Sequence, residues 1–122
     1  MKLKRYETAQ GLRVAAEDAS GIWRDVSDVA GGLTAAALKD GVLDRLRALD
    51  LAACPQAEEG GTLLPCVGDV GKFMCIGLNY SDHAAEMNMD HPDHPILFIK
   101  ANSAIAGAED DLVMPRGSTR VD

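Results

Sequence analysis

His83 stands three residues ahead of Glu86, and Lys100 closes an apolar run a short way downstream. Together these residue types are the parts of a proton-transfer site. An imidazole changes charge near neutral pH, and a carboxylate beside it can fix its tautomer and raise its basicity, as a general base requires. An ammonium group can meet an anionic substrate. At i and i+3 of a helix the imidazole and the carboxylate face the same way. The same spacing describes an ordinary exposed ion pair, and spacing alone favours that reading. Lys100 also has a plain alternative, because a lysine ending an apolar strand usually carries its charge out to solvent.

Other candidate motifs are weaker. His91-Pro-Asp-His94 looks like a metal cluster, but the flanking prolines forbid helical geometry, and no nearby Cys or Glu completes a tetrahedral set. A solvated loop is the expectation there. Gly68-Asp-Val-Gly71 lacks the spacing of a phosphate-cradling loop.

The elements that must position these residues can be read from pattern. Leu3 to Thr8, Leu12 to Ala16 and Ile22 to Val26 read as short strands, separated by the turn dipeptides Gln10-Gly11 and Ser20-Gly21. Trp23 reads as a core or edge anchor. Thr34 can cap a short helix ending at Lys39, and Val42, Leu43, Leu46 and Leu49 mark the apolar face of a second. Cys54 to Gly61 reads as a linker. Phe73 to Leu78 is then a strand, Asn79 the N-cap of a helix over about Tyr80 to Asn88, and Ile96 to Lys100 another strand. Ser103 to Ala106 reads as a third strand, Asp110-Asp111 as a turn, Leu112 to Met114 as a last strand, and Pro115 to Ser118 as a loop. The polar stretch from Ser81 to Asp93, interrupted by proline, is expected to be more mobile than its flanking strands.

Composition narrows the partners. Twelve Lys and Arg face 19 Asp and Glu among 122 residues, a formal charge of −7, and the basic residues are scattered apart from Lys2, Lys4 and Arg5. Binding to nucleic acid needs clustered cations, so that class is set aside. No apolar run approaches the roughly 18 residues of a membrane helix, and the start is not signal-like, so no membrane partner is expected. Cys54, Cys66 and Cys75 form an odd set without Cys-x-x-Cys spacing. Buried, inert thiols in a reducing cytoplasm are expected, with a reactive Cys66 beside an exposed site as the rival.

The run Cys75-Ile-Gly-Leu-Asn-Tyr-Ser-Asp-His-Ala-Ala-Glu86, then Pro95-Ile-Leu-Phe-Ile-Lys100, Ser103-Ala-Ile-Ala-Gly107 and Asp111-Leu-Val-Met-Pro-Arg116, resembles the fumarylacetoacetate hydrolase family. The resemblance covers about residues 70 to 122, and the preceding unit is similar to the N-terminal domain of bacterial members. It implies an α+β fold: an N-terminal α+β domain over 1–68, then the first strands of a mixed β-roll catalytic domain over 69–122, incomplete here. It further implies a magnesium- or manganese-dependent enzyme, homodimeric when complete, acting on 2-keto or β-diketo acids or related small carboxylates. Hydrolysis or other cleavage of C–C bonds, decarboxylation, isomerisation and ureidoglycolate-type lysis all occur in the family. His83 maps to the family's general base, Glu86 to the residue that orients it on a lid helix, and Lys100 to a lysine near the polar site.

The chain departs from the family at the metal. The family's ligands are a Glu-x-Glu pair and a later aspartate beyond the Pro-Arg-Gly-Ser loop, and no Glu-x-Glu occurs here. Asp110, Asp111 and Asp122 are the late aspartates, with no second carboxylate placed beside Asp122. The expectation is that the ligands lie past residue 122, that this chain alone holds no cofactor and is inactive, and that it is the N-terminal part of a longer enzyme. The alternative is a truncated, non-catalytic scaffold that binds a partner through an open sheet edge.

Overall fold

The computed structural model describes residues 1–120; Asp122 lies outside them. Two compact units are present, one formed by residues 1–68 with residues 106–120, the other by residues 69–105.

In the first unit, β1 (Leu3–Thr8), β2 (Gly11–Glu17) and β3 (Trp23–Asp25) form an antiparallel meander. Gly11 makes the first connection tight, since it holds φ 101, a value few L side chains adopt. Asp18 shapes the second: its carboxylate accepts from the N–H groups of Ser20 and Ile22 and from Arg24 Nε at 2.8 to 3.0 Å. The alternation of β2 separates two apolar faces. Val14 and Ala16 pack with Val26, Ala30, Leu33, Val42 and Leu46, under α1 (Ser27–Ala30), α2 (Ala35–Lys39) and α3 (Val42–Arg47). Thr34 caps α2 by accepting from the Ala37 N–H at 3.2 Å, as read from the sequence. The very short α1 has no sequence signal strong enough to find it. Ala15 faces the other way, with Tyr6, Ala57, Trp23 and Leu63. Trp23 is indeed an anchor: the Lys4 ammonium sits 4.8 Å from its ring and 5.0 Å from that of Tyr6.

Cys54 to Gly61 is not a free linker throughout. The Asp25 N–H donates to Pro55 O and the Ala57 N–H to Trp23 O, each at 2.8 Å, so this segment runs beside β3 and buries Ala57. Backbone pairing overrides the polar composition. β4 (Thr62–Leu64) then adds to β1, giving the order β3-β2-β1-β4.

The second unit is a two-stranded antiparallel sheet, β5 (Phe73–Gly77) and β6 (Ile96–Lys100), joined through the helix α4 (Ser81–Glu86). Every residue of β6 is exposed. The expected third strand at Ser103–Ala106 is instead a 3-10 turn over Asn102–Ala104. Its Asn102 amide donates to Val70 O at 2.7 Å. Leu112 to Met114 is not a strand either: no neighbouring strand pairs with it among the described residues, and Leu112 and Val113 are 85% and 86% exposed. The late turn falls at Ala108–Glu109 rather than Asp110-Asp111, because Asp110 Oδ2 accepts from the Gly107 N–H. The thiols are less buried than expected, with Cys66 exposed and Cys54 and Cys75 half-buried. Cys54 sits at a bend and packs only against the edge of the helix-covered core, Cys66 sits at a bend, and Cys75 lies on the thin two-stranded sheet. Among the described residues no helix is long and apolar enough to cross a membrane.

Candidate functional site

The helix α4 is shorter than Tyr80–Asn88 and starts without Asn79 as its cap. Leu78 adopts φ 48, in the left-handed region, and this turns the chain before Asn79 can take the capping position. Tyr80 occupies it instead, extended and with no side-chain cap bond. The other end is closed by a recognisable device. Asn88 is left-handed at φ 53, its N–H donates to Ala85 O, and the Met89 N–H reaches back to Ala84 O at 2.9 Å. Asparagine tolerates that conformation, and the paired bonds satisfy the last carbonyls of the helix. Ala84 is the single buried residue of α4.

On this exposed helix His83 Nδ1 lies 3.8 Å from Glu86 Oε2, with side chains 55% and 78% exposed. That is ion-pair distance and too long for a hydrogen bond. Nδ1 is the ring nitrogen nearer the carboxylate. The structure therefore brings His83 and Glu86 together. Lys100 is exposed at the end of β6, opposite Phe73, and makes no ion pair or side-chain hydrogen bond among the described residues. By strand alternation it shares a face with Phe98, as read from the sequence.

A feature missed by the sequence reading lies at the open end of the sheet. A groove of about 290 Å³ runs between Ile76–Asn79 and the loop His91–Pro95. Two histidines framed by Pro92 and Pro95 were the available signal, but a search for metal geometry passes over them.

Among the described residues no three His, Cys, Asp or Glu side chains converge on a possible metal position. The magnesium or manganese implied by the family resemblance has no ligand set here, and no chemical step is assigned to it.

The likeness to known proteins agrees with the motifs. Residues 72–122 match the family pattern described as "Fumarylacetoacetate (FAA) hydrolase C-terminal". A Burkholderia ambifaria protein named "Putative hydrolase" is 43% identical over 122 residues, covering 100% of this chain and 43% of its own length. A similarly named Burkholderia cenocepacia protein gives the same figures, 43% identity over 100% of this chain and 43% of the relative. The chain thus spans less than half the length of the curated relatives it matches. In fold it is similar to a crystal structure of a "putative HpcE protein" from Mycobacterium smegmatis, with a TM-score of 0.65 and 24% identity over 96% of this chain and 42% of that one. With the His83–Glu86 segment inside the matched stretch and the whole chain aligned to these relatives, the comparisons support a fragment similar to the fumarylacetoacetate hydrolase family, with the family pattern over residues 72–122.

Proposed function

We propose that this chain supplies the general-base segment of a hydrolase-type enzyme acting on 2-keto or β-diketo acids or related small carboxylates. The reaction is hydrolysis of a C–C bond or one of its relatives: decarboxylation, isomerisation or ureidoglycolate-type lysis. The observation that carries this reading is the His83–Glu86 contact at 3.8 Å, on an exposed helix within the family-matching residues. With Nδ1 the ring nitrogen nearer Glu86, Nε2 takes the proton from a water for hydrolysis, or moves it on the substrate for lyase or isomerase chemistry. Exposure of the pair suits a lid helix that tightens over substrate, since catalytic contacts are often long before ligand binds. Lys100 meets the substrate's anionic group.

The rest of the reading belongs to the full-length protein: a β-roll begun by residues 69–122, a homodimer in the cytoplasm, and dependence on magnesium or manganese bound by residues past 122. The 122-residue chain alone is inactive on this reading. A second reading, a scaffold that binds a partner, is favoured by an exposed apolar face on β5 and β6, where Met74, Leu97 and Ile99 share one side of the sheet and are 50%, 57% and 67% exposed.

The test is a panel of 2-keto and β-diketo acids offered to the full-length protein, with chelator and then with manganese restored. Turnover of at least one acid, lost and regained with the metal, is expected. No turnover of any acid, with another polypeptide pairing along the sheet edge, establishes the scaffold instead.

A further inference from the structure

Strand pairing in residues 69–105 stops abruptly at one end. β5 and β6 pair Gly77 with Ile96, so one more step would set Leu78 against Pro95, and the next Asn79 against His94. Pro95 has no N–H to give to a ladder. Leu78, at φ 48, swings the chain aside. Strain of that kind in a non-glycine residue persists where surrounding structure holds it, and it gathers at ligand sites. The result is the groove of about 290 Å³, at the small end of ligand pockets.

Its walls are rich in nitrogen donors. Asn79 brings an amide with two N–H groups, and the imidazoles of His91 and His94 each bring at least one. None of these three side chains has an ion-pair or hydrogen-bond partner among the described residues. Ile76, Leu78 and the two prolines supply apolar surface, and Asp93 is the one carboxylate on the groove. Ionised carboxylates only accept hydrogen bonds, so a small organic acid matches this donor set. A metal cation matches it poorly, since no third ligating side chain converges there among the described residues.

We infer that the groove is a subsite for a second carboxylate of the substrate, and that His91, His94 and Asn79 select for it. This rests on the enzyme reading above. His83 follows Asn79 by four residues, in the first turn of the helix that begins just past the groove.

The test is nitrogen-15 NMR on the full 122-residue chain, titrated with succinate, acetate or chloride at constant ionic strength. Succinate is expected to move the Asn79 side-chain amide and the His91 and His94 ring signals saturably, with acetate at least tenfold weaker. His91→Ala with His94→Ala should weaken succinate at least tenfold, while His91→Gln with His94→Gln, which keeps N–H donors, restores most of the binding. Both positions are exposed, so a dispersed spectrum will confirm that the variants fold. Equal response to chloride, or undiminished succinate binding in the alanine variant, overturns the subsite. In the full-length protein the alanine pair should raise KM for dicarboxylic substrates and leave kcat nearly unchanged. Failure of the enzyme reading looks different: succinate still binds the groove, but no acid is turned over.

Discussion

Glu86 Oε2 lies 3.8 Å from His83 Nδ1, within ion-pair distance but too far for a hydrogen bond. Glu86→Gln should therefore lower kcat less than loss of His83 itself, since a neutral amide can still face the ring but carries no charge. Rates for the full-length protein across pH check this, and equal losses for the two variants would give Glu86 a direct role. A second prediction concerns Tyr6, which is 1% exposed and has a hydroxyl without a hydrogen-bond partner among the described residues. Burial, then the charges of Asp25 and Glu58, push its phenol above the usual value of 10.0, with Arg13 opposing. A buried hydroxyl without a partner costs about 1–3 kcal/mol. Tyr6→Phe should accordingly leave thermal stability unchanged or raise it, whereas a marked fall in Tm would reveal a partner for the hydroxyl. At this scale the sequence was informative about His83 and Glu86, because helical spacing alone makes them neighbours. Asn79, His91 and His94 were hidden, because their meeting depends on a left-handed Leu78 that no pattern announces.

Elements with strong local signals formed where the pattern put them. Gly11 and Thr34 fix turn and cap through their own backbone chemistry, and the Val42, Leu46 face of α3 follows helical periodicity. Elements that need a partner strand did not follow from pattern: Leu112 to Met114 has the composition of a strand but no neighbour to pair with among the described residues. The β2–β3 connection offers a direct test of local chemistry. Asp18 is held below the usual 3.8 first by its hydrogen bond from Arg24, then by the Ile22 N–H, with burial opposing. A depressed carboxylate stabilises the fold above its unfolded pKa, and that contribution is lost as pH falls through the folded value. Acid unfolding should thus show a component in the window just below pH 3.8 that Asp18→Asn removes; an identical acid limb in the variant would contradict the assignment. The largely exposed stretch from Ser81 to Asp93, which includes α4, should exchange its amides faster than β5 and β6, and slower once ligand is bound. Hydrogen exchange reads this by segment, and protection equal to that of the strands would argue against a lid.

For the whole molecule, the contrast between the units is informative. The first has cores on both faces of its sheet, while the second leaves β6 exposed at every residue. An isolated two-stranded sheet is marginal in water. Manganese added to the 122-residue chain at physiological salt should give no saturable one-to-one isotherm at micromolar affinity. A clean isotherm of that kind would mean the ligands had been sought in the wrong place. The central claim, that His83 is the general base, is tested most directly by kcat for His83→Ala in the full-length protein on its best acid. The account predicts a fall of roughly 10²–10⁴-fold with KM little changed. Turnover near that of the unsubstituted protein would contradict it.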